Sequence, residues 1–317
     1  MIPILYNSDE TSFSTNGLGG LSDVISCYVY EDRNGMYEVE MTYPVNGEHY
    51  KEIKNGMIIY CIPSYQASPQ PFRIYEITEY LDGTAEIRAE HISYDLNYIL
   101  VKPFTETTVG GALTKIKSES METNPFTFSS DMSSTEIAYI QNAPNTARSC
   151  LGGSDGSILQ NLIDSGSSEG EFEWDKFSVN LWRNRGADHG VCIRYAKNLT
   201  DLKKIVSSVD LVNGCVAMWS NSDGSIILYG DIQHNSLVLP YARTILFDAS
   251  RFFESEPTKA QLNTIAQEYI DLMPLGPKAN LKVSFVDLSS VEEFEDISNL
   301  EHIKLCDTVT VVTKIDY

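Results

Sequence analysis

The sequence predicts an α+β protein of more than one domain, rich in antiparallel strands. Its 317 residues are more than a single domain usually contains. Tyrosine, with 18 copies, exceeds phenylalanine, with 12, and a composition rich in tyrosine and β-branched residues favours sheet. Segments with strand periodicity do not alternate regularly with helical segments, so a doubly wound parallel sheet is not expected.

The charge balance excludes several classes of function. The chain has 44 acidic and 23 basic residues, which gives a formal net charge of -21. Binding to nucleic acid or to anionic lipid depends on clustered lysine and arginine, so neither is expected. Two interpretations stay open: the charge keeps the protein soluble, or an acidic surface lets a polyanion pass without adhering.

The cysteines and the N-terminus indicate a cytoplasmic product. Six cysteines are spread along the chain and none forms a C-x-x-C pair, which is typical of reduced thiols. The opening residues "MIPILYNSDE" lack the basic region of a secretory signal. No apolar run approaches the roughly 18 residues that a membrane span needs.

The first element is a long hairpin over residues 24–44, with Asn34-Gly35 as its turn. Its second strand is apolar on one side and polar on the other. The apolar side carries Tyr37, Val39, Met41 and Tyr43, and the polar side carries Glu38, Glu40 and Thr42. A strand follows at 56–63, and two more flank the turn Asp82-Gly83. Four or more antiparallel strands at this spacing predict a small barrel or sandwich.

The middle of the chain mixes helices and strands. We predict helices near 93–103, from Thr108 onward, at 158–164 and at 199–206. We predict strands at 124–130, 171–186 and 190–198. A hairpin at 215–231 carries Asp223-Gly224 at its tip. The clearest helix spans 258–272 behind Pro257, because five apolar residues form one stripe on it. Strands at 280–288 and 306–316 end the chain.

The sequence gives little support for a histidine-based metal or catalytic site, or for a serine nucleophile. The five histidines form no H-x-x-x-H or H-E-x-x-H pair, and Asp188-His189 in a glycine-flanked loop is interpreted as a solvated turn. The loop "GGSDGS" at 152–157 resembles a nucleophile elbow or a phosphate loop only loosely. A turn with a Ser or Asp helix cap is the expectation there.

One strand carries paired carboxylates beside aromatic residues. In "EGEFEWDKF", Glu171, Glu173 and Asp175 alternate with Phe172 and Trp174. Carboxylates over an aromatic floor are compatible with a glycoside hydrolase, although any half-buried strand alternates in this way.

Four blocks follow one another along the chain: "NGMYEVEMTYPVNGEHYKEIKNGMII", "AEHISYDLN", "EFEWDKFSVNLWRNRGADHGVCIRYAKNLTDL" and "LKVSFVDLSSVEEFEDISNLEHIKLCDTVTV". In this order they resemble the phage tail-hub proteins often called tail-associated lysins, the prophage endopeptidase tail family. Together they cover nearly the whole chain. Two positions depart from the family pattern, because Ala196 and Cys306 each stand in a place usually taken by glycine.

The resemblance implies a β-rich multidomain fold like that of contractile-phage baseplate hubs, with two similar antiparallel β-barrels for a ring and two mixed α/β domains. The expected parts are a first ring barrel in 1–95, completed by 207–240, an inserted mixed α/β domain in 96–206, the helical part of a third domain in 241–278 and a second ring barrel in 279–317. The sequence leaves open whether this second barrel is complete.

The resemblance also implies a role. Such a protein is a homotrimer that caps the tail tube and closes or opens a channel for DNA. Expected partners are the distal tail protein, the tape measure protein and tail fibre or receptor-binding proteins, with DNA passing unbound. No cofactor, metal or membrane insertion is expected, and the protein belongs to the virion tail tip after assembly in the host cytoplasm. A lytic domain lies downstream in many members, so this chain is expected to be structural.

In such a ring, Glu38 and Glu40 would suit a DNA-repelling channel or a contact between neighbouring subunits. Two alternatives stay open. One is a cell-wall hydrolase, a peptidoglycan peptidase or glycosidase, that uses Glu171, Glu173 or Asp175. The other is a carbohydrate-binding adhesin that uses Trp174 and Trp182.

Overall fold

The computed structural model describes residues 2–64, 67–253, 255–285 and 303–313. The chain divides into two compact units: unit 1 is Met1–Ile163 with Ser168–Arg185, and unit 2 is Asp164–Ser167 with Gly186–Tyr317. Parts of the two predicted C-terminal strands and of the fourth resemblance block, within 286–302 and 314–317, lie outside the described residues. The predicted division into two barrels and two further domains stays a prediction.

Unit 1 begins with a seven-stranded antiparallel sheet. Its strands are β1 Ile4–Tyr6, β2 Gly19–Gly20, β3 Ser26–Glu31, β4 Tyr37–Pro44, β5 Ile58–Cys61, β6 Gln70–Glu79 and β7 Thr84–His91. They lie in the order β2-β1-β5-β6-β7-β4-β3. Strands β3 and β5 are not neighbours in this order, yet the Cys27 thiol on β3 comes within hydrogen-bonding reach of the Cys61 thiol on β5. This proximity shows that the sheet curls. The sheet is therefore a half-barrel.

The predicted hairpin is confirmed as β3 and β4. Asn34 in its turn has φ 55°, a left-handed conformation that asparagine tolerates better than most residues. The four apolar residues of β4 are at most 3% exposed and belong to the main core of unit 1. The period-2 pattern thus placed the core face of this strand correctly.

The rest of unit 1 packs short strands and three helices against the same core. These elements are β8 Leu100–Val101, β9 Phe104–Thr108, α1 Val109–Ser118, β10 Thr127–Ser130, β11 Glu136–Gln141, β12 Asn145–Thr146, α2 Ala147–Leu151, α3 Ile158–Asp164, β13 Glu171–Asp175 and β14 Ser178–Trp182. The Thr108 side chain accepts from Gly111 N, which confirms the predicted cap of α1. A 3₁₀ turn at Ile92–Asn97 occupies the first predicted helical stretch.

Among the described residues, unit 2 contains seven strands and one long helix. They are β15 Asp188–Arg194, β16 Leu199–Ser207, β17 Gly214–Ser220, β18 Ile227–Tyr229, β19 Thr244–Asp248, α4 Lys259–Asp271, β20 Lys278–Phe285 and β21 Thr308–Val312. Helix α4 buries Leu262, Ala266 and Ile270 in one core with Cys215 and Trp219 of β17. The predicted helix and the predicted hairpin β17–β18 are both confirmed.

The prediction of a helix at 199–206 is wrong, because this segment is strand β16. It pairs antiparallel with β20 from Leu199 opposite Phe285 to Ser207 opposite Lys278. The spacing of Leu199, Leu202 and Val206 also fits a helix, but the segment contains adjacent β-branched residues. A long ladder to a distant strand therefore overrides a weak local helical preference.

Candidate functional site

The carboxylates of Glu38 and Glu40 lie on the side of β4 that points away from the core. Both residues are half-buried and alternate with the fully buried side chains of the strand. Strand β4 lies between β3 and β7, so each carboxylate has a cross-strand neighbour on either side. These neighbours are Tyr30 and Glu90 for the first, and Tyr28 and Arg88 for the second.

Together, β3, β4, β6 and β7 present one continuous acidic face. We define the acidic face as the outward residues Glu38, Glu40, Glu76, Glu86, Glu90, Tyr28, Tyr30, Tyr75, Tyr80 and Arg88. Each of its four tyrosines is at least 42% exposed. Five carboxylates therefore share this surface with Arg88, and phenol rings separate them. Arg73 of β6, which forms an ion pair with Asp95, lies opposite Glu90.

Hydrogen bonds hold part of this charge in place. The Tyr75 hydroxyl lies 3.3 Å from Glu38 Oε2, and the Tyr80 hydroxyl donates to Glu86 at 3.1 Å. Arg88 donates to Glu86 at 2.6 Å, whereas its guanidinium lies 3.9 Å from Glu40. The arginine is thus engaged mainly by Glu86.

Two carboxyl groups on the face have shifted pKa values. Burial raises the pKa of Glu90, and the negative charges of Asp95 and Glu38 add to this effect. Hydrogen bonds from Arg88 and then from Tyr80 lower the pKa of Glu86. The face therefore concentrates like charges while keeping Glu86 ionised, which is suited to repelling a polyanion.

The three carboxylates considered for hydrolysis are each held by hydrogen bonds within unit 1. Glu171 accepts from the backbone N–H of Arg185 at 2.5 Å. Glu173 accepts from the Trp182 indole at 2.8 Å, and Asp175 accepts from the Gln70 amide at 2.8 Å. The structure thus shows these carboxylates in contacts that stabilise the β13–β14 region.

The other sequence candidates also have local roles. The prediction of a turn at Asp188-His189 is wrong, because both residues begin strand β15, where Asp188 pairs with Thr308 and accepts from Gly190 N at 2.8 Å. Ser157 accepts from Gln160 N at 3.3 Å, so it caps α3 as predicted for the loop at 152–157. Trp174 is only 6% exposed, which leaves little of its ring for a sugar to stack on.

Sequence reasoning did not identify Arg148. Its guanidinium lies 4.0 Å from the ring centre of Trp174 and 5.0 Å from that of Tyr94, beside a cavity lined in part by Arg148 and Trp174. No sequence pattern marks this site, because its members are separated along the chain and come together only through the fold.

Two classes of feature are absent from the described residues. No group of three or more histidine, cysteine, aspartate or glutamate residues there is arranged to hold a metal ion. Within the same ranges, the helices are too short or too polar to cross a membrane.

Neither a protein-family model nor a curated protein sequence matches the chain. Among solved structures it is similar to the prophage tail protein gp18 from Listeria monocytogenes EGD-e, with a TM-score of 0.59 and 15% identity over 89% of this chain and 81% of that chain. It is also similar to the tail protein from Neisseria meningitidis MC58, with a TM-score of 0.54 and 9% identity over 88% of this chain and 78% of that chain.

The fold of this chain is that of prophage tail proteins. Because the aligned share of 89% is larger than unit 1 alone, the likeness extends into unit 2. The predicted resemblance to phage tail proteins is thereby confirmed at the level of the fold.

Proposed function

We propose that this chain is a structural hub protein of a phage or prophage tail tip. In this role it assembles as a homotrimer, caps the tail tube and contacts the distal tail protein, with the tape measure and fibre or receptor-binding proteins as further partners. DNA passes through its centre without binding. The observation that carries the proposal is the prophage tail fold across both units, combined with an acidic strand face on the half-barrel.

The acidic face gives a physical reason why DNA would pass through the channel without binding to its wall. Glu38 and Glu40 lie outward on β4, and the sheet beneath them is fixed by fully buried core residues. A channel wall that carries fixed negative charge repels the phosphate backbone at short range, where salt screens little. We assign Glu38 and Glu40 to the channel wall.

Charge reversal tests this assignment. The double variant E38K/E40K is compared with E122K/E136K, which changes two exposed glutamates of unit 1 outside the acidic face. Each Glu→Lys change adds two positive charges, so both variants move from -21 to about -17. In the cross-linked trimer, we expect E38K/E40K to bind a short DNA duplex at least about tenfold more tightly than the control, with affinity that falls steeply as salt rises.

Two results would contradict the proposal in different ways. Equal DNA binding by the two double variants would place Glu38 and Glu40 outside the passage. Turnover of peptidoglycan by the wild-type chain, abolished in Glu173→Gln, would instead support the cell-wall hydrolase.

A further inference from the structure

A cavity of about 260 Å³ lies in unit 1 beside helix α2 and strand β13. Its described lining contains no aspartate and no glutamate, although the chain has 44 acidic residues. The lining has a single charged side chain, that of Arg148, and one of its walls is apolar. The cavity thus combines one cation with a hydrophobic surface, which is a common composition for a ligand site.

Arg148 is held by two aromatic rings and one hydrogen bond. Its guanidinium carbon lies over the rings of Trp174, at 4.0 Å, and Tyr94, at 5.0 Å. Nη1 donates to Ser93 Oγ at 3.2 Å. In the described part of the chain Arg148 forms no ion pair with a carboxylate, and Glu90 acts on it only at longer range. An arginine fixed in this way presents the planar donor fork that matches a carboxylate.

The other residues that line the cavity indicate which chemical group would be attached to a bound anion. Phe172 stacks on Trp174 at 5.0 Å and Arg148 lies 4.0 Å from the same ring, so this tryptophan is covered. Leu159 supplies apolar surface, and the exposed Asn97 amide has no hydrogen-bond partner among the described residues. The apolar wall favours a ring or an alkyl group over an inorganic anion, while the covered Trp174 disfavours sugar stacking.

From these observations we infer that the cavity binds a carboxylate attached to an aromatic or aliphatic group. Arg148 receives the carboxylate, and Leu159 contacts the apolar part. A volume of about 260 Å³ accommodates one carboxylate with one ring and is below the range of cavities that hold larger ligands. Such a ligand comes either from a small organic acid or from the C-terminal residue of a partner protein.

Nuclear magnetic resonance of the full chain tests the site with defined probes. Each of the three tryptophans gives one indole N–H signal. Phenylacetate is expected to shift the Trp174 signal with a dissociation constant on the order of 1 to 10 mM, as for a small fragment. Phenylacetamide, which has the same shape without the charge, is expected to bind at least about tenfold more weakly. Trp182 and Trp219 do not line the cavity and serve as internal controls.

Two variants connect the binding to the guanidinium. Arg148→Met removes the cation, and we expect it to abolish the phenylacetate shift. Arg148→Lys keeps the charge without the planar fork, and we expect at least about fivefold weaker binding. Unchanged Trp182 and Trp219 signals in both variants show that the fold is retained. If Arg148→Met disturbs these signals, the comparison of phenylacetate with phenylacetamide on the wild-type chain decides alone.

The source of the carboxylate is tested with a short peptide that ends in phenylalanine. Binding of the free acid but not of the C-terminal amide assigns the site to a protein terminus. Binding of phenylacetate but not of the peptide acid assigns it to a small organic acid. A Trp174 signal that moves with neither acid, or that moves equally with phenylacetamide, overturns the inference.

Discussion

At the scale of single residues, His91 shows how burial decides protonation. The imidazole is fully buried, its Nδ1 accepts from Ser93 N at 3.2 Å, and its Nε2 lies 3.3 Å from Gln70 Oε1. Burial, assisted by the positive charge of Arg148, lowers the pKa of His91 to about 3. The neutral ring therefore links the end of β7 to the 3₁₀ turn that follows it.

This shift predicts a pH dependence of stability. The pKa of His91 is lower in the folded state than in the unfolded chain, so its contribution is complete above about pH 6.5 and is lost as pH falls towards 3. Between pH 6 and 4, we expect the unfolding free energy of the wild type to fall more steeply than that of His91→Gln. The difference in slope is up to about 1.4 kcal/mol per pH unit.

Chemical denaturation of both proteins across this pH range provides the measurement. The absolute stability of His91→Gln is not the readout, because the variant also changes packing. Equal slopes for the two proteins, or a His91 ring that titrates near pH 6.5 by NMR, would show that the folded state accepts the proton.

At the scale of elements, the connection between β15 and β16 depends on a strained turn. Ala196 has φ 61°, and Cys306, just before β21, has φ 74°. Both residues stand where the resemblance predicted glycine, and the left-handed conformation explains why glycine suits these positions. The chain thus keeps the turn geometry at a cost of roughly 1 kcal/mol for each non-glycine residue.

Replacing Ala196 by glycine is expected to stabilise unit 2 by up to about 1 kcal/mol, because the strain exceeds the added entropy of the unfolded chain. The matched control is Ala260→Gly in the exposed part of α4 in the same unit. This control lies in the first turn of α4, so it is expected to lose less than about 1 kcal/mol, because glycine is less favourable than alanine in a helix. Thermal unfolding of the two variants should shift in opposite directions, and a loss in both would contradict the strained turn.

Local signals predicted the elements that depend on local chemistry. The hairpin β3–β4 follows from alternation and the Asn34 turn, and α1 follows from its Thr108 cap. Strand β16 was missed because only its pairing with β20 distinguishes it from a short helix. The parallel pairing of β10 with β14 joins Thr127 to Ser178, which are 51 residues apart, and no local pattern encodes it.

The residues of the candidate site also fall into two groups: those that a local pattern predicted and those that only the fold brings together. Glu38 and Glu40 were placed correctly on the outward side of β4, because a strand has a fixed period. The other members of the acidic face come from the register of β3, β6 and β7, which the sequence alone does not specify. The Arg148 cavity was not predicted, because its members meet only in the folded unit.

At the scale of the whole molecule, the acidic residues are distributed unevenly. The acidic face carries five carboxylates beside Arg88 and Arg73, whereas the lining of the Arg148 cavity has a cation and no acid. We interpret this contrast as a division of roles, with one surface that repels a polyanion and one small site that recruits a carboxylate. The first role requires several copies of the chain around a common axis.

The most direct test of the hub proposal is electron microscopy of the full-length chain after mild cross-linking at high concentration, with the mass of the particles measured in solution. We expect trimers with an axial opening, and we expect strand β4, with Glu38 and Glu40, to line that opening. A chain that stays monomeric at every concentration, or a trimer in which β4 lies on the outer rim, would contradict the account.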